Sequence, residues 1–115
     1  MQQFEQKRRQ LLAMLIEQLI SELQTQKLWQ SKRPSKQALA SVEPFAIDSL
    51  TFTQWLQFIF IEKIDLLLQS NLALPIRMAI TPMATEYFKL QNCDSTTIVS
   101  IINRIDLVIN EKAPC

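Results

Sequence analysis

Residues 51–69 read TFTQWLQFIFIEKIDLLLQ, and this stretch decides the fold. Its apolar side chains fall on every side of a helix, and a helix that is apolar all round belongs in a protein interior. Thr51 and Gln54 have the spacing of a capping box, in which each side chain accepts a hydrogen bond from a backbone N–H of the first turn. A strand fits residues 58–61 alone, but the interrupting polar residues favour a helix. We therefore expect a central, buried helix.

The absence of glycine is the most unusual feature of the composition. The chain has 115 residues, of which 48% are hydrophobic and none is glycine. This length fits one domain with its own core. Hairpins and phosphate-binding loops depend on positive φ angles, which glycine tolerates best, so its absence favours helices and excludes glycine-rich nucleotide motifs. The helices must then end at other residues, and candidates are Asn71, Asn92, Pro75 and Pro114.

Apolar stripes predict helices on both sides of the central one. Residues 2–30 carry Leu and Ile at steps of three and four, which indicates a long amphipathic first helix. Thr81 and Pro82 have the identities of an N-cap and a first helical residue, so a short helix should run from there to about Leu90. Residues 95–111 predict a final helix, although β-branched residues leave a strand possible at 96–102.

Residues 35–50 form a long connection before the central helix. Residues 37–42 fit a helical turn, and Pro44 then favours extended backbone. Connections of this length are usually packed or functional, and we expect Phe45, Ile47 and Leu50 to pack against the bundle. The complete prediction is an all-α single domain, residues 1–115. It is a helical bundle of about four helices with a long first helix, a buried central helix and a short third helix.

The residue types exclude most catalytic chemistry. The chain has no histidine and therefore lacks the commonest general base and metal ligand. Cys93 and Cys115 cannot build a structural zinc site without histidine, and we interpret Cys93 as a small apolar filler, with an activated thiolate as the alternative. Glu62 and Asp65 share a helix face, but a di-iron site needs Glu-x-x-His pairs, so we expect ion pairs with Lys63 or the first helix. We predict no catalytic residue, no cofactor and no metal.

Basic residues are concentrated in the first third of the chain, although the net charge is only +1. The usual interpretation of such residues is a solvated face. The alternative is RNA binding, which requires them to converge on one face and makes affinity fall steeply with salt. No secretory leader pattern and no bilayer-length apolar run are visible, so we expect a cytoplasmic protein without membrane contact. The candidate basic residues are Lys7, Arg8, Arg9, Lys27, Lys32, Arg33 and Lys36.

Aromatic residues offer a second binding alternative. Trp29, Trp55 and Tyr87 could form a stacking platform for nucleic-acid bases, but core packing is the favoured interpretation because Trp55 lies on the central helix.

The segment PFAIDSLTFTQWLQFIFI, residues 44–61, followed by Leu74-Pro75 and then Pro82, resembles the YqcC-like family of small bacterial proteins. Leu28-Trp29 also fits the family's pattern near the end of the first helix. The resemblance implies a bundle of about four helices and no catalytic residue to transfer. We expect the positions that carry the resemblance to be structural. They are Trp29, Phe45, Leu50, Phe52, Trp55, Leu56, Gln57, Pro75 and Pro82.

The family resemblance also bears on function, since its members are known for lying beside a tRNA pseudouridine synthase gene. The stretch Asn103-Arg104-Ile105-Asp106 is superficially similar to the Arg-Leu-Asp core of such synthases. Those enzymes hold the aspartate in a large mixed α/β domain beside glycines, whereas Asp106 is expected on the surface of a helix. We therefore predict a non-catalytic accessory or interaction protein with a protein partner, linked to RNA modification; an RNA-binding module is the alternative. The oligomeric state stays open.

Overall fold

The computed structural model describes residues 2–111, and all regular elements within this range are helical. The all-α prediction is confirmed, and the strand alternative at residues 96–102 is wrong because these residues belong to a helix. Pro114 and Cys115 lie outside the described residues. The elements are α1 (Gln2–Thr25), α2 (Lys36–Leu39), a 3-10 turn (Pro44–Ala46), α3 (Phe52–Trp55), a π-helical segment (Leu56–Ile61), α4 (Glu62–Gln69), α5 (Thr81–Lys89) and α6 (Thr96–Asn110).

The central helix consists of α3, the π-helical segment and α4, which follow one another without a break. The predicted capping box is present: the Thr51 hydroxyl accepts from the Gln54 N–H at 3.2 Å, and the Gln54 side-chain oxygen accepts from the Thr51 N–H at 2.9 Å. A π-helical segment holds one residue more than the α-helical pitch allows. Five of its six residues are buried. Burial is less complete in α4, where Leu66 is exposed.

The core lies where α1 and α6 pack along each other and against the central helix. Apolar residues of α1 and α6 recur at steps of three and four, so each helix turns one continuous stripe inward. Full burial of one such side chain is worth roughly 1.5–3 kcal/mol. The largest fully buried side chains are Leu12, Leu19, Leu23, Leu56, Ile64, Ile80, Ile98, Ile102, Ile105 and Ile109.

Two helices, α1 and α4, end at left-handed residues other than glycine. Lys27 has φ 61° and follows α1; its N–H donates to the Gln24 carbonyl at 3.0 Å, and the Leu28 N–H donates to the Leu23 carbonyl at 2.8 Å. This is a Schellman motif, and it explains why α1 is shorter than the predicted 2–30. Asn71, with φ 56°, follows α4 in the same way, which confirms Asn71 as a helix end.

The 35–50 connection contains both a helical turn and an unusual bend. Phe45 and Ala46 have φ 56° and 48°, a conformation that costs a residue with a Cβ roughly 1–2 kcal/mol. Phe45 is half-buried and Leu50 is buried, as predicted. The prediction for Ile47 is wrong, because its side chain is 63% exposed. The bend turns Ala46 toward the core and leaves Ile47 facing water.

Candidate interaction surface

Arg8, which the sequence placed among the binding candidates, lies inside the protein. Its side chain is 6% exposed. Nε donates to the Val108 carbonyl at 3.1 Å, and Nη2 donates to the carbonyls of Ile109 at 2.6 Å and Pro75 at 2.8 Å, while Nη1 pairs with Glu5 at 3.0 Å. A cation at the carbonyl end of a helix is stabilising, and the carbonyls of Val108 and Ile109 belong to the last turn of α6. The expectation of a solvated side chain is wrong for Arg8.

Arg9 performs the same task for another helix. Its guanidinium donates to the carbonyls of Leu67 at 2.6 Å and Leu68 at 3.2 Å near the end of α4, and to Leu72 at 2.7 Å. The two adjacent arginines of α1 therefore cap the carboxyl ends of α6 and α4. Their distance from those helices in sequence hid this role, since the hydrogen-bond partners are 58 to 101 residues away.

The other basic candidates are exposed, but the seven do not form one face. Lys7 is near the start of α1, whereas Lys27 follows its end, and a helical rise of 1.5 Å per residue separates the two by about 25–30 Å. Four of the exposed residues lie within ten positions of the sequence, namely Lys27, Lys32, Arg33 and Lys36, which we call the 27–36 basic segment.

Arg33 connects this basic segment to the central helix. Its guanidinium donates to the Glu62 carboxylate at 2.6 Å and lies 5.7 Å from the centre of the Phe58 ring. The hydrogen bond to Glu62 raises the pKa of Arg33. Glu62 was expected to pair with Lys63 or the first helix, and its observed partner is in the loop after that helix. Asp65 instead accepts a hydrogen bond from Gln69 at 2.8 Å.

Most of the family-pattern aromatic residues meet in one cluster. The Phe45 and Trp55 ring centres are 4.8 Å apart in an edge-on arrangement, and the Phe52 and Phe60 ring centres lie 6.1 Å and 5.6 Å from that of Trp55. Tyr87 of α5 completes it at 5.6 Å from Phe52. Such contacts stabilise packing beyond the buried area. Trp29, Trp55 and Tyr87 are half-buried against the core, so core packing accounts for them.

Gln57 explains the polar position of the family pattern. It is buried within the π-helical segment, where its side-chain oxygen accepts from the Gln30 N–H at 2.8 Å and its nitrogen donates to the Gln30 carbonyl at 2.7 Å. Both backbone groups of Gln30 are thereby satisfied by one amide. Gln57 thus fixes the 27–36 basic segment to the central helix at one point.

Asp106 is buried, and the expectation of a surface aspartate is wrong. Its carboxylate accepts hydrogen bonds from the Ile80 N–H at 2.9 Å and from the Thr81 N–H at 2.8 Å and hydroxyl at 2.6 Å. Thr81 is therefore the first residue of α5 rather than its N-cap, and Pro82 is the second, because an aspartate of α6 supplies the capping oxygen. Asn110, one turn later, pairs with both backbone groups of Met78.

The groove beside Arg9 and the thiol of Cys93 add no further candidate for a functional site. An open groove of about 630 Å³ runs between the start of α1 and the end of α4, and its cation, Arg9, already donates to three carbonyls. Cys93 is half-buried against the core, as predicted for an apolar filler. Across residues 2–111, no group of three or more His, Cys, Asp or Glu side chains could hold a metal ion. Over the same residues, the helices are too short or too polar to cross a bilayer.

Several large apolar side chains are exposed, and two of them lie in one loop before the central helix. Residues 41–49, which we call the 41–49 loop, expose Val42 by 95% and Ile47 by 63%. The loop follows α2 and leads into the central helix, and its Ser49 hydroxyl donates to the Ala38 carbonyl of α2. Nothing in the sequence pattern singles out Val42, and the pattern predicted that Ile47 packs against the bundle.

Comparison with known proteins links the chain to other bacterial proteins. The family model described as "DUF446: tRNA pseudouridine synthase C" matches residues 11–108. A Haemophilus influenzae protein named "Uncharacterized protein" is 42% identical over 74 residues, which are 64% of this chain and 70% of that protein. The "tRNA pseudouridine synthase C" of Pectobacterium carotovorum subsp. carotovorum is 43% identical over 47 residues, which are 41% of this chain and 12% of that protein.

A solved structure has the same architecture. The solution NMR structure of protein YqcC from E. coli superposes with a TM-score of 0.79, covering 94% of this chain and 92% of that chain at 19% sequence identity. At this level of identity the likeness concerns the fold alone.

Proposed function

The chain belongs to the DUF446 family, described as tRNA pseudouridine synthase C, and on this basis we propose that it is a non-catalytic accessory protein that binds a tRNA pseudouridine synthase. The observation that carries the proposal is the Pectobacterium protein of that name. A segment of 47 residues, similar to 41% of this chain, makes up 12% of it, so in that protein the segment is covalently joined to a much longer chain. Covalent linkage gives two modules a high effective concentration, and separate chains need a binding surface for the same proximity.

The use of polar side chains in this fold supports an accessory role. Arg8, Arg9, Gln57 and Asp106 all hold backbone groups of distant segments, with hydrogen bonds of 2.6–3.2 Å. Groups that are engaged in this way hold the bundle together, and the exposed apolar side chains of the 41–49 loop are of the kind that contact protein partners.

The test is direct binding between the purified chain and the tRNA pseudouridine synthase C of the same organism, measured by isothermal titration calorimetry with and without tRNA. We expect a saturable complex with a dissociation constant in the micromolar range or tighter in both conditions. A tagged chain should also recover the synthase from native lysate after nuclease treatment. Lack of binding at about 100 μM of each protein would overturn the proposal, since weaker contacts correspond to less than about 5.5 kcal/mol.

RNA binding is the second candidate, and the 27–36 basic segment favours it. Its four cations lie within ten residues, and all are exposed. Each phosphate neutralised on a single strand contributes about −0.7 to the slope of log K against log salt, so four contacts predict a slope near −3. The triple variant Lys27→Gln, Lys32→Gln, Lys36→Gln should reduce that slope by about 2. The double variant Lys7→Gln, Lys63→Gln, at exposed positions elsewhere, should leave it unchanged. A salt-independent affinity would exclude this candidate.

A further inference from the structure

The 41–49 loop combines strong exposure with tight fixation. Val42 and Ile47 project into water, yet the loop is tied down at several points. The Ser41 hydroxyl donates to the Asp48 carboxylate and accepts from the Glu43 N–H, and the Ser49 hydroxyl donates to the Ala38 carbonyl at 2.7 Å. A loop with so many internal bonds presents its side chains in one arrangement, which reduces the entropy lost on binding.

The bend within the loop uses a conformation that side chains with a Cβ avoid. Phe45 and Ala46 are both left-handed, with φ of 56° and 48°. The Phe45 ring holds the bend in place by packing edge-on against Trp55, at 4.8 Å between centres. Backbone that persists in disfavoured regions is common at ligand clamps and switch regions. Here its effect is that Ala46, rather than the larger Ile47, faces the core.

The charges of the loop define the partner. Between residues 37 and 61 the charged side chains are Glu43 and Asp48, and both are acidic and exposed. Each directly follows one of the two apolar side chains in the sequence, so each exposed apolar side chain has a negative neighbour. The complement of the loop is an apolar groove bordered by Lys and Arg, the charge expected near the RNA path of an RNA-binding enzyme.

From these observations we propose that the 41–49 loop is the docking element of the chain, and that it inserts Val42 and Ile47 into an apolar, cation-bordered groove of its protein partner. The inference rests on the proposed function, because it takes that partner to be the tRNA pseudouridine synthase.

The experiment compares variants of the full chain in binding to the purified tRNA pseudouridine synthase C of the same organism. The double variant Val42→Ser, Ile47→Ser should weaken binding at least tenfold, because apolar anchors at the centre of an interface dominate its energy. The control variant is Leu90→Ser, Leu107→Ser, which removes two leucines that are 87% and 63% exposed elsewhere on the surface. It should bind within twofold of wild type. Circular dichroism should show that all variants remain folded, since exposed substitutions rarely affect stability.

A charge variant tests the border of the groove. Glu43→Lys should weaken binding further, and Glu43→Gln should reduce the dependence of the association rate on salt. If the Val42→Ser, Ile47→Ser variant binds the synthase as tightly as wild type does, the docking inference is overturned and the proposed function is preserved. Absence of wild-type binding would overturn both. Self-association that disappears in the same variant, seen by analytical ultracentrifugation, would assign the loop to a second copy of the chain and overturn the inference.

Discussion

Arg8→Ala should be among the most destabilising single substitutions at a charged position of this protein. The guanidinium donates to three backbone carbonyls, at 2.6 Å to Ile109, 2.8 Å to Pro75 and 3.1 Å to Val108. These carbonyls belong to the end of α6 and to the loop before α5, so one side chain of α1 joins three parts of the chain. Alanine removes all of these bonds at once.

The size of the loss follows from the burial of the site. A hydrogen bond from a charged group is worth about 1.5–3 kcal/mol, and a carbonyl left buried without a donor costs about 1–3 kcal/mol. The full sum is not reached, because removing a buried cation also relieves its desolvation and because water enters where the side chain was. We therefore expect Arg8→Ala to lower the free energy of unfolding by about 2–4 kcal/mol, a large part of the 5–15 kcal/mol typical of a domain.

Urea denaturation followed by circular dichroism measures this loss. With an m value of about 1–2 kcal/mol/M, the midpoint should fall by about 1–4 M while m stays the same. Arg8→Met retains much of the apolar stem and separates packing from hydrogen bonding, so it should recover only a small part of the stability. Lys7→Ala is the matched control, because Lys7 precedes Arg8 on α1 and is exposed. It should change stability by less than about 0.5 kcal/mol.

The reasoning would be refuted if the free energy of unfolding of Arg8→Ala lay within about 0.5 kcal/mol of the wild-type value, which is the usual range for a substitution at an exposed position. It would equally fail if Lys7→Ala were as destabilising as Arg8→Ala, because the effect would then come from charge near the start of α1 rather than from the carbonyls that Arg8 contacts.

Three further substitutions test the packing and the polar contacts. Trp55→Ala should cost about 2–4 kcal/mol in urea denaturation, somewhat below the value for a fully buried tryptophan, and a normal midpoint would show that the aromatic cluster contributes little. Gln57→Ala should speed hydrogen exchange at the Gln30 amide, measured by mass spectrometry with peptide-level resolution. Unchanged exchange would mean that the segment around Gln30 keeps its conformation without the Gln57 side chain. Asp106→Ala should cost about 2–4 kcal/mol because it leaves the N–H groups at the start of α5 without an acceptor, whereas exposed Asp65→Ala should cost less than about 0.5 kcal/mol.

Local sequence signals predicted the parts of the fold whose partners are close in sequence. The capping box was visible because Thr51 and Gln54 lie within one helical turn, and Asn71 was visible because left-handed Asn is a known helix end. The helical stripes of α1 and α6 follow the same logic. The resemblance to the YqcC-like family is confirmed by the family match and by the likeness in fold.

The hydrogen bonds of the buried Arg8 and Asp106 were not predictable from the sequence, because their partners are distant along the chain. Arg8 bonds to a residue 101 positions away, and Asp106 caps a helix that begins 25 positions earlier. The prediction that Ile47 packs against the bundle failed for another reason. Burial of apolar residues is a one-way rule: cores are apolar, but an apolar residue need not be in the core. Only the geometry of the bend at Phe45 and Ala46 decides which side chain faces inward.

The absence of glycine bears on both the left-handed turns and the side chains that hold the segments around them. A chain without glycine must turn with residues that carry a Cβ, and here Lys27, Phe45, Ala46 and Asn71 take left-handed conformations that are less favourable for them. Side chains from elsewhere stabilise the segments around such turns. Arg9 donates to the carbonyl of Leu72, directly after Asn71, and Gln57 binds both backbone groups of Gln30, three residues after Lys27.

The turns at Phe45–Ala46 and at Asn71 are each followed by an exposed apolar side chain, Ile47 at 63% and Leu72 at 52%. The turns at Lys27 and Asn71 close helices, so their conformation is explained by the fold. The bend at Phe45 is held by an aromatic contact and by hydrogen bonds within the loop, and its result is the exposure of Val42 and Ile47. Because the bend at Phe45 closes no helix, a protein partner for the exposed side chains of the 41–49 loop stays our proposal, and the Val42→Ser, Ile47→Ser variant tests it.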